Sequence, residues 1–266
     1  MDRVIEFLNI PSEVLDILNK MPSNVLGERQ DEIVKKYTEP ENFEEATSFI
    51  LEALKENDEK GFKQLKIIVE ASKITYQNYQ KLSISDEIFI DTFKFVRSGL
   101  ELYKKLHGEY GFSHTNWVGR ELSCLLFRLG VLEYEMFKLD EKPAISIHIP
   151  SGADLSDNAL DSTFNYAKEF FKKYFPKYAC VPYFCESWLM SPNLKYVLNE
   201  NSKILAFQNR FKLKEFVEDG IGYKFFIFHN LDLKPEEFTE NTSLERNIKK
   251  FVLSGGKIGH AISVLK

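Results

Sequence analysis

Apolar residues recur every three to four positions through the first part of the chain. Phe43, Ala46, Ile50 and Leu54 fall on one helical face, and Phe62, Leu65 and Val69 repeat the spacing. The clearest stripe is Phe89, Phe93, Val96, Leu100 and Tyr103. Its helix should start after Ser83–Ser85, with Asp86 and Glu87 in the first turn. It should stop at His107–Gly108, a cation followed by a glycine able to turn left-handed. The short segments Val4–Leu8 and Val14–Leu18 are split by Pro11. They have the size of a DNA-binding helix pair, but their acidic surroundings argue against that role.

From about residue 120 the period shortens to two. Leu132, Tyr134 and Met136 alternate with Glu133, Glu135 and Phe137, and Ile145, Ile147 and Ile149 alternate with Ser146 and His148. The turn Asp140-Glu141-Lys142-Pro143 joins these segments, which predicts an antiparallel pair. A loop, Pro150–Leu155, leads to a helix with Leu160, Phe164, Ala167, Phe171 and Tyr174 on one face and Pro176 beyond it. Further expected elements are a strand at Tyr183–Ser187, a helix near Asn201–Phe211 and a strand at Tyr223–Phe228. A glycine turn at Ser254-Gly255-Gly256 leads to a last strand ending near Val264. The expectation is an α+β protein, with a helical domain over residues 1–118 and a mixed α/β domain with a mostly antiparallel sheet over 119–266. The antiparallel beginning of the second domain excludes a doubly wound dinucleotide fold. Neither G-x-G-x-x-G nor a P-loop is present.

The chain has 266 residues and a formal net charge of −5. The first 110 residues hold 15 Lys/Arg against 21 Asp/Glu, and the remainder holds 20 against 19. The acidic surplus therefore lies in the helical part, and nucleic acid is not an expected partner. No apolar run approaches the length of a membrane span and the start shows no secretory leader, so no membrane partner and a cytoplasmic setting are expected. Cys124, Cys180 and Cys185 match neither a disulfide framework nor a zinc pair. The histidines at 107, 114, 148, 229 and 260 are scattered, so no metal is expected.

The strand–loop–helix unit beginning at Ile145 carries the most information. A helix N-terminus preceded by a small-residue loop presents unpaired N–H groups to an anion. Gly152 permits close backbone approach, and Ser151 and Ser156 can donate hydroxyls. The same residues could equally turn the chain and cap the helix, and Asp154 adds a negative charge to the loop.

Several stretches, in order, resemble a bacterial family of acyltransferase-like proteins. The family joins a helical N-acyltransferase N-terminal domain to a C-terminal domain like the GNAT N-acyltransferases. The stretches are Ile84-Ser85-Asp86-Glu87-Ile88 with Asp91-Thr92, Trp117, and Leu126-Phe127-Arg128-Leu129-Gly130 running into Leu132-Glu133-Tyr134-Glu135. They continue through His148-Ile149-Pro150-Ser151-Gly152, Phe184-Cys185-Glu186-Ser187-Trp188-Leu189, and Asn201 with Phe207 and Phe211.

The resemblance implies an α+β fold with a GNAT-like second domain and acyl transfer from an acyl-CoA, acetyl-CoA being the expected donor, to a small-molecule or protein amine. In GNAT-like folds one strand splays from the next, its free backbone groups pair with the pantetheine, and the following loop and helix hold the pyrophosphate. Here these would be Ile145–Pro150 and Ser151–Leu155, so Ile147, Ile149, Ser151, Gly152, Ala153 and Ser156 are the candidate cofactor-binding residues. The loop departs from the superfamily pattern Arg/Gln-x-x-Gly-x-Gly/Ala: only Gly152 is present, no Arg or Gln leads it, and Pro150 has no N–H.

Direct transfer needs a group that takes a proton from the amine, and an imidazole titrates near neutrality. His148, at the end of the cofactor strand, is the candidate base. Glu186, in the next strand, could act as base or bind a cationic amine. A second route would pass the acyl group through Cys185 with His148 as its base. Trp188 is expected to pack in the core or cleft wall; Arg128 could face an interdomain acid, but an ordinary structural role is the expectation for it. The contrasting class is a non-catalytic binding or interaction module on the same scaffold.

Overall fold

The computed structural model describes residues 3–113 and 115–266, apart from the side chain of Asn116. His114, one of the five histidines, and the first two residues of the expected leaderless start lie outside the described residues. The chain forms two compact units, the first ending at Leu129 and the second beginning at Gly130.

The first unit is helical up to its last segment. Its helices are α1 (Arg3–Leu8), α2 (Ser12–Lys20), α3 (Gln30–Tyr37), α4 (Phe43–Leu54), α5 (Phe62–Leu82), α6 (Asp86–His107) and α7 (Thr115–Leu122), followed by strand β1 (Leu126–Leu129). Among the described residues no strand precedes β1, as the 3.6-residue period requires. Helix α6 begins after Ser85 and ends at Gly108, whose φ of +79° is the left-handed stop read from the sequence. Phe89, Phe93, Val96 and Leu100 are buried. Buried polar groups tie the last elements down: the Tyr37 hydroxyl donates to the Thr115 carbonyl at 2.9 Å, and the Thr75 hydroxyl to the Leu122 carbonyl at 2.6 Å. The backbone N–H of Arg128 on β1 donates to Thr92 Oγ1 of α6 at 3.0 Å.

The second unit contains β2 (Leu132–Leu139), β3 (Lys142–His148), α8 (Asp157–Tyr174), β4 (Tyr183–Ser187), α9 (Lys203–Gln208), β5 (Phe211–Val217), α10 (Gly222–Phe228), α11 (Ser243–Leu253) and β6 (His260–Leu265). Its strands lie in the order β2-β3-β4-β6-β5. Every neighbouring pair is antiparallel except β3 and β4. Asp140 and Glu141 both have positive φ, the two-residue hairpin turn whose twist suits the flanking strands. Helix α8 packs with Leu160, Phe164, Ala167 and Phe171 buried, the predicted stripe.

Two expectations are corrected here. Tyr223–Phe228 is helix α10, not a strand. Its aromatic run has high β-propensity, but the helix turns Tyr223 and Phe228 into a cluster with Trp188, Leu194, Phe238 and Ile248. The strand in this region is β5, an edge strand that carries Lys212 and Lys214 exposed and is kinked by a register shift between Leu213 and Glu215. The preceding helix ends at Gln208 and not at Phe211, which opens β5. Among the described residues no helix is long and apolar enough to cross a membrane.

Candidate active site

The pairing of β3 with β4 stops early. Only Ile145↔Tyr183 and Ser146↔Phe184 are in register. Both strands continue: β3 stays paired with β2 as far as Glu133↔His148, and β4 with β6 as far as Ser187↔Ala261. The sheet therefore opens between β3 and β4. Ile145 donates its N–H to the Pro182 carbonyl at 3.0 Å, on the β4 side. By the two-residue alternation the backbone groups of Ile147 face that same side, at the opening. Ile149 lies just past the end of β3.

Strand register sorts the side chains into two faces. Tyr134, Ile145, Ile147, Tyr183 and Cys185 share the face toward α8, where the Tyr134 and Thr163 hydroxyls lie 3.2 Å apart. Glu133, Glu135, Ser146, His148, Phe184 and Glu186 share the other face. Carried two residues past Ser146↔Phe184, the register would set His148 opposite Glu186, so these two residues flank the opening.

His148 Nε2 lies 2.8 Å from Glu135 Oε2, a diagonal contact across β2 and β3. The carboxylate side chain is 6% exposed and the imidazole 21%. In the sequence Glu135 stands as the polar half of a strand alternation and as the end of one resembling stretch, with no role assigned to it. Glu186 is more open, at 52%, and lies 3.5 Å from His260 on β6. Cys185 is fully buried, and burial pushes its thiol up to about 12, with the neighbouring Glu186 adding to the shift. Because Cys185 and His148 project from opposite faces, the geometry does not assemble the thiol–imidazole pair. Trp188 is buried in the satellite cluster, as expected for core.

The loop after β3 makes a turn in which Ala153 N–H donates to the Pro150 carbonyl at 3.1 Å. Gly152 has a φ of +75° with nothing within 4 Å of where a Cβ would stand, so the backbone conformation, not crowding, calls for glycine. Ser156 occupies the N-cap position of α8, but its hydroxyl donates to Asp154 at 2.8 Å and no side chain caps the helix. Asp154 also accepts from Ser156 N–H at 3.0 Å and from Lys203 Nζ at 3.1 Å. These hydrogen bonds, those from Ser156 first, hold its carboxyl below the usual range. Arg210 binds Asp157 at 2.6 Å and Asp161 at 2.5 Å in the first turns of α8. Lys203 and Arg210 thus bring to this loop and helix the positive charge that the loop itself lacks. Both lie far along the chain, with no local pattern marking them.

A family model described as a GNAT-like C-terminal domain matches residues 126–265, and one described as an N-acyltransferase N-terminal domain matches residues 2–124. Among solved structures, the chain is similar to an acyltransferase in complex with decanoyl-CoA and teicoplanin, at 18% identity and a TM-score of 0.71, covering 99% of this chain and 98% of that one. It is similar also to an acyltransferase in complex with CoA and 10C-teicoplanin, at 18% identity and a TM-score of 0.72 over the same shares. At this identity the likeness is one of fold. No curated protein sequence matches the chain significantly.

Proposed function

Since the chain belongs to the family that joins an N-acyltransferase N-terminal domain to a GNAT-like C-terminal domain, we propose that it moves an acyl group from an acyl-CoA to an amine by direct attack. The observation that carries this reading is the opening between β3 and β4. A pantetheine arm entering there pairs with the strand backbone at Ile147 and Ile149, much as an added strand would. The pyrophosphate then falls at Ser151–Ser156 and the uncapped start of α8, within reach of Lys203 and Arg210. Acetyl is the donor expected from the sequence. The complexes of similar folds with octanoyl-CoA and decanoyl-CoA support including longer chains in any test.

The protein's chemical duty is small. The amine adds to the thioester carbonyl, the tetrahedral adduct loses a proton, and the thiolate of CoA leaves and takes one up. His148 stands at the opening to move that proton, and Glu135 orients the ring and stabilises its protonated form. Glu186, across the opening, attracts a cationic acceptor. The reaction proceeds in a cytoplasmic setting and needs no metal and no acyl-enzyme.

Calorimetric titration with acetyl-CoA, octanoyl-CoA and decanoyl-CoA tests the site. Gly152→Asp should weaken binding at least tenfold, because aspartate tolerates the left-handed conformation but sets a carboxylate beside the phosphates. Gly152→Asn keeps the backbone and adds no charge, so it should bind within a few-fold of wild type. Equal affinity for all three proteins would move the phosphate site elsewhere.

A further inference from the structure

Glu186 has a partner that the transfer step does not use. His260, on β6, lies with its Nε2 3.5 Å from Glu186 Oε1. It is placed on the same sheet face as Glu186 by the register Glu186↔Ile262. Its ring is seated against Gly220, where a Cβ would overlap His260 Nδ1. The face therefore carries, across four strands, the sequence carboxylate, imidazole, opening, carboxylate, imidazole: Glu135, His148, then Glu186, His260. The two pairs differ in access to water. Glu135 and His148 are 6% and 21% exposed, whereas Glu186 and His260 are 52% and 28% exposed.

Proton counting gives this arrangement a use. An alkylamine is an ammonium ion at neutral pH. To become an amide nitrogen bearing one hydrogen, the ammonium must lose two protons, while the departing thiolate accepts only one. Resting on the acyltransferase reading above, we infer that His260, acting through Glu186, takes the first proton from a cationic acceptor and releases it to water. His148 takes the second from the tetrahedral adduct and delivers it to the thiolate. The balance is RNH₃⁺ plus R′CO–SCoA giving R′CO–NHR plus HSCoA plus H⁺, the N–C bond forming as the C–S bond breaks. The open pair handles the proton that leaves, and the shielded pair handles the proton that stays. The acceptor class is then a protonated primary amine. Other charged groups near His260 are Glu215, on the same face of β5 two residues before Val217, which pairs with His260, and Glu218 and Asp219 in the turn after β5, both bound by Lys257.

The test compares two acceptors at neutral pH with octanoyl-CoA as donor: n-hexylamine, which is protonated, and hydroxylamine, which is mostly unprotonated. His260→Ala should cut kcat/KM for hexylamine at least tenfold and leave hydroxylamine within twofold. The hexylamine deficit should close as the pH rises toward 10, where free amine becomes abundant. His260→Gln, which keeps a polar side chain against Glu186 but cannot take the proton, should behave like His260→Ala. His148→Ala should lower the rate with both acceptors. Equal losses on both acceptors, or a deficit that persists at high pH, would make His260 merely structural and overturn the inference. No loss on either acceptor would overturn it as well while leaving the acyltransferase reading intact. A wild-type protein inert toward both amines would instead remove that reading, and the inference with it.

Discussion

Replacing His148 by alanine is expected to lower turnover by roughly 10²–10⁴-fold, the usual value of a positioned general base. Its ring stands at the end of β3 where pairing with β4 has ceased, held by Glu135 at 2.8 Å. Cys185→Ala should change the rate only through packing. The thiol projects from the opposite sheet face into the core beneath α8, and burial pushes it up to about 12, so almost no thiolate exists at neutral pH. A route through an acyl-cysteine would reverse these sensitivities and release a burst of free CoA before any acceptor is added. Thiol-reagent detection of CoA gives the rates, and intact-mass analysis after incubation with acyl-CoA alone gives the adduct. A stoichiometric acyl group on Cys185 that an added amine discharges would sink direct transfer.

The parts of the molecule that depend on near neighbours in the chain were readable from the sequence. Helix α6 shows its stripe, its acidic first turn and its glycine stop within about two dozen residues, and the β2–β3 hairpin shows both its alternation and its turn. The opening was not readable in this way. It exists because β3 and β4, separated by α8, share only two paired positions, and no local pattern encodes where a parallel register ends. His148 and Glu186 could be named from the resemblance, but their partners could not. Glu135 is an ordinary polar position in β2, and His260 reaches Glu186 only because β6 inserts between β4 and β5. Lys203 and Arg210 reach the loop by the same kind of long-range closure. Tyr223–Phe228 failed for a different reason: an aromatic-rich run satisfies strand preference, and only the cluster it packs against selects the helix.

Phe89→Ala should cost the helical unit about 3–5 kcal/mol, in the range for deleting a buried phenylalanine ring. Phe89 is fully buried on α6 and is the hub of an aromatic cluster. Its ring centroid lies 4.4 Å from Phe93 in a stacked pair, 5.1 Å and 5.3 Å from Tyr76 and Tyr79 edge-on, and 6.1 Å from Phe7. These contacts join α1, α5 and α6, so the void left by alanine cannot close by moving one side chain. The Tyr79 hydroxyl beside it is fully buried, and burial pushes it well above its ordinary range. A chain of two units need not unfold in one step, and the measurement must isolate the first. Trp117 on α7 and Trp188 in the second unit are its two tryptophans. In a Trp188→Phe background, urea unfolding followed by fluorescence reports the helical unit. Leu106→Ala, on the exposed side of α6, serves as control and should shift stability by less than about 0.5 kcal/mol. A Phe89→Ala loss no larger than that of the control would show that this cluster does not hold the helical unit together.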